Sequence, residues 1–477
     1  MRIKAFMKKT FYLGRSGESI YPDRLMAGEP WLQKKDLGLF TDLYELTMMQ
    51  SYRHHGMNET AVFELFVRDL PENWNFLLAC GQDELAELLS QLSFPPDALD
   101  YLKSLNLFTA DFLDYLRNFR FSCDVFTVPE GTLIFPYEPI LTIRGPLLEA
   151  QLVETLVMNQ IHYPTLAASK AARVVLAAQG KTIVDFGVRR IHGLDAGLKA
   201  ARSFYLAGVD ATSNVLAGKV YGIPLSGTMA HSFIQAFDSE EEAFEHFART
   251  YPEAVLLVDT YHSLKGVQRV IELSRRLGPK FRVRGVRLDS GDLGELAEKT
   301  RLLLDEADLS RLTIFASGGL DEYDVARLVE EGYPIDGFGV GTKMGVAADQ
   351  PFLDMSYKLV EYRGTPRLKL SAKKETLPGR KQVFRREKEN QILSDELALE
   401  NEVRDGIPLL ERRLRDGRPV GKRTPLIEVR RYVAASLEKF PDELKKISGA
   451  KAVFPVDFSP GLKKMRQEVR QQLERNS

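Results

Sequence analysis

The chain has 477 residues, 44% of them hydrophobic, and its 65 Lys and Arg against 66 Asp and Glu leave a formal net charge of −1. That length suits two or three domains with sizeable cores, and neutrality argues against binding nucleic acid or an anionic membrane through bulk charge, though not against a local basic pocket. Only Cys80 and Cys123 carry thiols, so no disulfide framework is expected. Both are read as buried packing residues of a protein in the reducing cytoplasm.

No apolar run of 18 residues occurs, and the basic opening 1–10 lacks the apolar stretch of a secretory signal. Residues 1–37 are read as an N-terminal extension. An N-terminal α/β domain is expected over 38–145. Within it, 62–67 alternates as a strand, and 83–92 is a helix with Leu85, Leu88, Leu89 and Leu92 on one stripe. A long helical stretch runs from about 149 to 178. Seven short apolar or β-branched runs follow, at 182–186, 208–212, 223–226, 254–259, 282–288, 312–316 and 336–340.

Helical patterns fill most of the gaps. Ser239 with Glu242 makes a capping box, Ser263 is read as the cap of the next helix, Asp292 precedes a third, and Asp321 starts a fourth that ends at Gly332. Strand–helix alternation gives a parallel sheet with right-handed crossovers. Because no Gly-x-Gly-x-x-Gly turn opens the first unit, an irregular (β/α) barrel over 146–358 is preferred to a doubly wound sheet. The segment 359–477 is assigned to a part completing the α/β domain, followed by charged, peripheral helices at 428–440 and 461–474. Within it, 366–386 is basic (Arg367, Lys369, Lys373, Lys374, Arg380, Lys381) and reads as a solvated strand and loop.

Catalytic groups of barrels follow the C-terminal ends of the strands. Those positions are polar throughout. In chain order they hold Gly187, Arg189, Arg190 and His192; Thr212, Ser213 and Asn214; Gly227, Thr228, His231 and Ser232; then Asp259, Thr260, Tyr261 and His262. The last three hold Asp289, Ser290, Gly291 and Asp292; Ser317, Gly318 and Gly319; and Gly339, Val340, Gly341 and Thr342. Glycines admit backbone N–H groups to a phosphate, and the helix after Asp321 adds a positive end. Asp289 and Asp292 could bind a ribose diol or a Mg²⁺–diphosphate group, although Asp292 is equally explained as a helix cap. Arg287 lies within a strand, where an anionic ligand or an internal Asp would satisfy it. Lys170 and Arg173, three apart on one helix, read as a solvated face with a possible role near phosphate. Zinc-ligand spacing is absent.

Five stretches in order carry a resemblance. They are Thr41-Asp42-Leu43-Tyr44-Glu45-Leu46-Thr47-Met48, Asp185-Phe186-Gly187-Val188-Arg189-Arg190, Gly227-Thr228-Met229-Ala230-His231-Ser232, Arg287-Leu288-Asp289-Ser290-Gly291-Asp292 and Gly339-Val340-Gly341-Thr342. With Leu377-Pro378-Gly379-Arg380-Lys381, they resemble nicotinate phosphoribosyltransferase from about residue 38 to 386, while the N-terminal extension departs from that pattern. The resemblance implies a type II phosphoribosyltransferase fold, with a discontinuous α/β domain packed on the barrel. It implies transfer of the phosphoribosyl group of 5-phosphoribosyl diphosphate to nicotinate, with ATP as co-substrate and Mg²⁺ accompanying the diphosphate. It makes His231 the ATP-phosphorylated histidine and places Asp289 near the ribose. It sets Phe186, Arg189, Thr228 and Arg287 around nicotinate, and Gly318, Gly319, Gly341 and Thr342 around the 5′-phosphate. Tyr44 would stack on the ring across the interface of a homodimer. A nicotinamide or quinolinate enzyme, and a phosphate-binding barrel aldolase or isomerase using Lys343, stay as alternatives.

Overall fold

The structure, a computed structural model, describes residues 33–371, 374–449 and 451–476. Most of the expected N-terminal extension, and Lys373, lie outside the described residues. At the centre is a parallel sheet in the spatial order Ala211–Thr212, Thr182–Asp185, Gly337–Val340, Thr313–Ser317, Gly285–Leu288 and Val255–Leu257. The last strand in sequence pairs with the first, from Gly337 against Thr182 to Val340 against Asp185. That pairing curls the sheet into a barrel, whereas an open doubly wound sheet leaves its last strand at an edge.

The third of the seven expected strands shrinks to one bridge, Thr212 to Leu225. Pro224 offers a carbonyl to the Thr212 N–H but has no N–H of its own, which confines this segment to an edge. The barrel wall therefore stays open between Leu225 and Val255–Leu257. Strand side chains such as Leu256, Val286, Ile314 and Phe338 are fully buried. Outer helices present one apolar face to them, as Ser263–Leu277 does with Val267, Val270, Ile271 and Leu273.

A second sheet, antiparallel throughout, is assembled from both ends of the chain. Its order is Thr365–Pro366, Met355–Tyr362, Thr60–Val67, Leu141–Pro146, Asp124–Thr127, Glu411–Arg415 and Arg418–Pro419. The expected boundary at residue 358 falls inside Met355–Tyr362, which pairs along the whole of Ala61–Val67. Between the sheets runs the long helix, interrupted at Val153 into Leu147–Leu152 and Glu154–Ala177. Its early residues Leu156, Val157 and Ile161 enter the core of the antiparallel sheet, and its later Ala167, Ala168 and Ala171 enter the barrel core.

Three expectations are corrected. Lys170 and Arg173 do not form a solvated face: they are 1% and 2% exposed and pair with the fully buried Glu322, at 2.6 and 3.0 Å. Lys170 also meets Asp349, which accepts the Trp74 indole N–H at 3.1 Å. The helix Leu426–Lys439 is not peripheral, since Val429, Val433 and Leu437 pack into the barrel core. Arg430 on it donates to the carbonyls of Tyr205 and Gly208, closing the helix Leu194–Ala207. Ser263 does not cap its helix; His262 holds that position without a side-chain bond.

Candidate active site

The strand Thr182–Asp185 ends on a buried carboxylate. Asp185 accepts the Thr212 hydroxyl and the Gly187 N–H, both at 2.7 Å, and so fixes the turn that presents Phe186. Burial pushes the Asp185 carboxyl up, against those two hydrogen bonds. Three strands away, Arg287 reaches across, its guanidinium 5.7 Å from the centre of the Phe186 ring. One Arg287 nitrogen, Nη2, donates to the Met229 carbonyl at 3.3 Å, while its buried Nε has no protein partner. Burial lowers the guanidinium's basicity, partly offset by Asp289 and Asp259. This strand thus delivers a desolvated cation beside a flat aromatic face.

Asp289 follows directly after that strand and accepts a hydrogen bond from the Ser317 hydroxyl. Its backbone N–H and the Ser290 hydroxyl both donate to Asp259 Oδ2, at 2.9 and 2.6 Å. The second Asp259 oxygen is buried without a partner. His231, at the start of the short helix His231–Gln235, has Nδ1 3.1 Å from the Thr260 hydroxyl and Nε2 3.8 Å from Asp289 Oδ2. Its side chain is 41% exposed. Thr228 adjoins Met229, whose carbonyl takes both the Arg287 bond and the Thr228 hydroxyl.

The two glycine loops lie against these residues. A Cβ on Gly318 would sit 1.9 Å from the Asp289 carbonyl oxygen, and one on Gly339 2.5 Å from the Phe186 ring. A Cβ on Gly341 would lie 2.8 Å from the Phe186 carbonyl oxygen. Thr342 accepts a hydrogen bond from Arg190 at 3.2 Å. Lys343, next along, donates to Asp321 at 2.8 Å and Asp324 at 3.0 Å. At the open seam of the barrel a cavity of about 650 Å³ is lined by Gly227, Thr228, Phe247, Tyr251 and Ala254.

His231, Asp289, Phe186, Thr228, Arg287 and the loops of Gly318, Gly319, Gly341 and Thr342 are therefore gathered at one mouth. Arg189 stands exposed on the turn Val188–Arg190 and acts on Arg287 as a like charge. Tyr44 is not brought there. It lies half-exposed on the helix Leu43–His54, and its charged neighbours are Glu154, Glu45 and Asp42. Asp292 accepts the Glu295 N–H as a helix cap, so the cap reading holds and the second carboxylate at Asp289 is Asp259 instead. Asp259 and Thr260 are expected at a strand end, with no role of their own in the sequence. Their signal was an apolar run stopped abruptly by Asp-Thr. Among the described residues no cluster of three or more His, Cys, Asp or Glu could hold a metal ion.

Two family models match, the nicotinate phosphoribosyltransferase N-terminal domain over residues 39–162 and the nicotinate phosphoribosyltransferase family over residues 182–379. A nicotinate phosphoribosyltransferase of Mycobacterium tuberculosis is 51% identical over 422 residues, covering 88% of this chain and 91% of its own. One from Bacillus subtilis is 40% identical over 73% of each. Among solved structures, human nicotinic acid phosphoribosyltransferase superposes with a TM-score of 0.80 at 29% identity, over 90% of this chain and 99% of that one. A nicotinate-nucleotide pyrophosphorylase from Pyrococcus furiosus gives 0.71 at 25% identity, over 87% and 99%.

Proposed function

Because the chain belongs to the nicotinate phosphoribosyltransferase family, we propose that its barrel mouth joins nicotinate to the phosphoribosyl group of 5-phosphoribosyl diphosphate with coupled ATP hydrolysis, the first step of NAD biosynthesis from nicotinate. Arg287 carries this reading. It is a desolvated guanidinium with an unpartnered Nε, beside the Phe186 ring and next to Asp289. A planar pyridine carboxylate fits that combination, pairing its anion with Arg287 and laying its ring on Phe186. An amide would add no charge to a buried cation that Asp289 and Asp259 offset only in part, and so would gain less there than a carboxylate.

In the transfer, the pyridine nitrogen forms a bond to the anomeric carbon as the carbon–oxygen bond to diphosphate breaks. Positive charge develops on the ribose, and the Asp289 carboxylate, held by Ser317, is placed to stabilise it. The 5′-phosphate lies against the N–H groups of Gly318, Gly319, Gly341 and Thr342. Arg189 and Arg190 supply cations toward the leaving diphosphate. Mg²⁺ suits this site as an ion that arrives with diphosphate, because such ions take one or two carboxylates and complete their shell from phosphate and water. Asp289 is the carboxylate that would hold it, and the ion would neutralise the departing charge.

His231 supports the ATP coupling. With Nδ1 bonded to Thr260, its Nε2 is the nitrogen left free of a hydrogen bond, 3.8 Å from Asp289. That nitrogen takes the terminal phosphoryl group as the bond to ADP breaks, and water later hydrolyses the phosphohistidine. Tyr44, exposed beside Leu43 and away from its own barrel mouth, supports a homodimer with shared active sites. Two free buried cysteines, and no described helix long and apolar enough to cross a membrane, accord with a cytoplasmic enzyme. The aldolase alternative loses its lysine, since Lys343 is held charged by Asp321 and Asp324.

The test is incubation with phosphoribosyl diphosphate and nicotinate, nicotinamide or quinolinate in turn. Nicotinate is the expected substrate, and turnover of nicotinamide but not nicotinate overturns the assignment. Labelled ATP should leave acid-labile phosphate on the wild type and none on His231→Ala, which keeps some ATP-independent transfer. Absence of label on the wild type refutes the coupling role.

A further inference from the structure

The helix Glu322–Glu330 opens directly behind Gly318 and Gly319, yet its start is acidic: Asp321 is the cap, with Glu322 and Asp324 in the first turn. A helix start attracts phosphate through its dipole even where, as here, the Asp321 carboxylate already takes the Tyr323 and Asp324 N–H groups. Three carboxylates there would oppose that attraction. Each is met by a cation from another part of the chain. Glu322 is buried between Lys170 and Arg173. Asp321 and Asp324 share Lys343, at 2.8 and 3.0 Å.

Lys343 follows Thr342 directly, so this ion pair also ties the loop after the last barrel strand to the helix after the neighbouring strand. Burial acts to raise the Asp321 carboxyl, yet the hydrogen bond from Lys343 holds it below its usual range. The same contact raises Lys343. The pair is partly exposed, and exposed pairs add little to folding stability. Its effect is expected on the binding of an anion instead.

We infer that Lys343 is a positioning residue for the phosphoribosyl donor: by neutralising Asp321 and Asp324 and joining the two glycine loops, it keeps the cradle receptive to a dianionic phosphate. The inference rests on the cradle reading above and adds a residue that does not itself touch the ligand.

The test is steady-state kinetics with a thermal melt alongside. Lys343→Met should raise the KM for phosphoribosyl diphosphate about tenfold, leave kcat and the KM for nicotinate within about twofold, and melt like the wild type. Lys343→Arg should recover most of the loss. Asparagine caps helices as well as aspartate, so the triple variant Asp321→Asn, Asp324→Asn, Lys343→Met should regain affinity once the repelling charges are gone. An unchanged KM in Lys343→Met overturns the inference. So does a raised KM that the triple variant leaves raised, because Lys343 would then contact phosphate itself. Gly319→Ala separates this from the cradle reading. Its added Cβ meets no protein atom within 4 Å, so it alters the loop only through the strain of φ +72° and its own bulk. If Gly319→Ala leaves the KM for the donor unchanged, the cradle reading fails. If it raises that KM and Lys343→Met does not, the Lys343 inference alone fails.

Discussion

Replacing Gly318 by alanine should disable the enzyme while leaving it folded. Gly318 has φ +104°, and the new Cβ would lie 1.9 Å from the Asp289 carbonyl oxygen. Carbon and oxygen need about 3.3 Å, so one loop must retreat by roughly 1.4 Å. The backbone strain adds about 1–3 kcal/mol. Asp289 is the group that moves, and it would leave both the Ser317 hydroxyl and the Asp259 carboxylate that anchor it. A shift of about 1 Å at a reacting group costs on the order of 100-fold. Gly318→Ala is therefore expected to lower kcat/KM for nicotinate mononucleotide formation on the order of 100-fold, while the melting temperature drops by only about 2–12 °C. Initial rates followed by chromatography, with a thermal melt of the same preparation, measure both. A folded variant whose kcat/KM stays within about threefold of wild type would refute the reasoning.

Glu322→Gln leaves Lys170 and Arg173 buried with only Asp349 as counter-charge, and a urea titration should show a loss of about 3–5 kcal/mol; a loss under about 1 kcal/mol contradicts the network's role. Glu45 is buried with one oxygen unpartnered, and burial raises its carboxyl from 4.5 to about 7 despite the hydrogen bond from Gln151. Its protonated form is favoured by the fold, so the stability it contributes is full below pH 4.5 and is lost as pH rises through about 7. Glu45→Gln should accordingly melt higher than wild type at pH 8 and equally at pH 4.5; equal melts at pH 8 would show that Glu45 ionises freely. For Tyr44, sedimentation should show a dimer. Mixing Tyr44→Ala with Asp289→Asn should restore about a quarter of wild-type activity, from mixed dimers with one intact site. No recovery after confirmed subunit exchange means that Tyr44 serves its own subunit or none.

Much of the barrel is legible because its signals are local. Apolar runs such as 312–316 and caps such as Ser239, Asp292 and Asp321 sit within a few residues of the features they specify, and each is found where expected. The gathering of Phe186, Arg287, Asp289 and His231 follows from strand ends sharing one rim. What escaped is non-local. Lys170 and Arg173 read as a solvated face because their partner Glu322 lies some 150 positions further along. Asp259 looked ordinary because its value depends on receiving the Asp289 N–H from a neighbouring strand. The helix Leu426–Lys439 looked peripheral because charged residues outnumber the three apolar ones that dock it.

The antiparallel sheet built from both chain ends has a consequence for synthesis. The strand Thr60–Val67 gains one neighbour early, at Leu141–Pro146, but its other edge waits for Met355–Tyr362. Roughly 290 residues must be translated in between, which at ribosomal speed takes about 15–60 s. During that interval a strand of seven buried positions stands with a row of unpaired N–H and C=O groups facing outward. The ribosome-bound chain therefore carries a sticky edge through most of its own translation, and slowed elongation across the barrel would lengthen its exposure to chaperones and to other nascent copies.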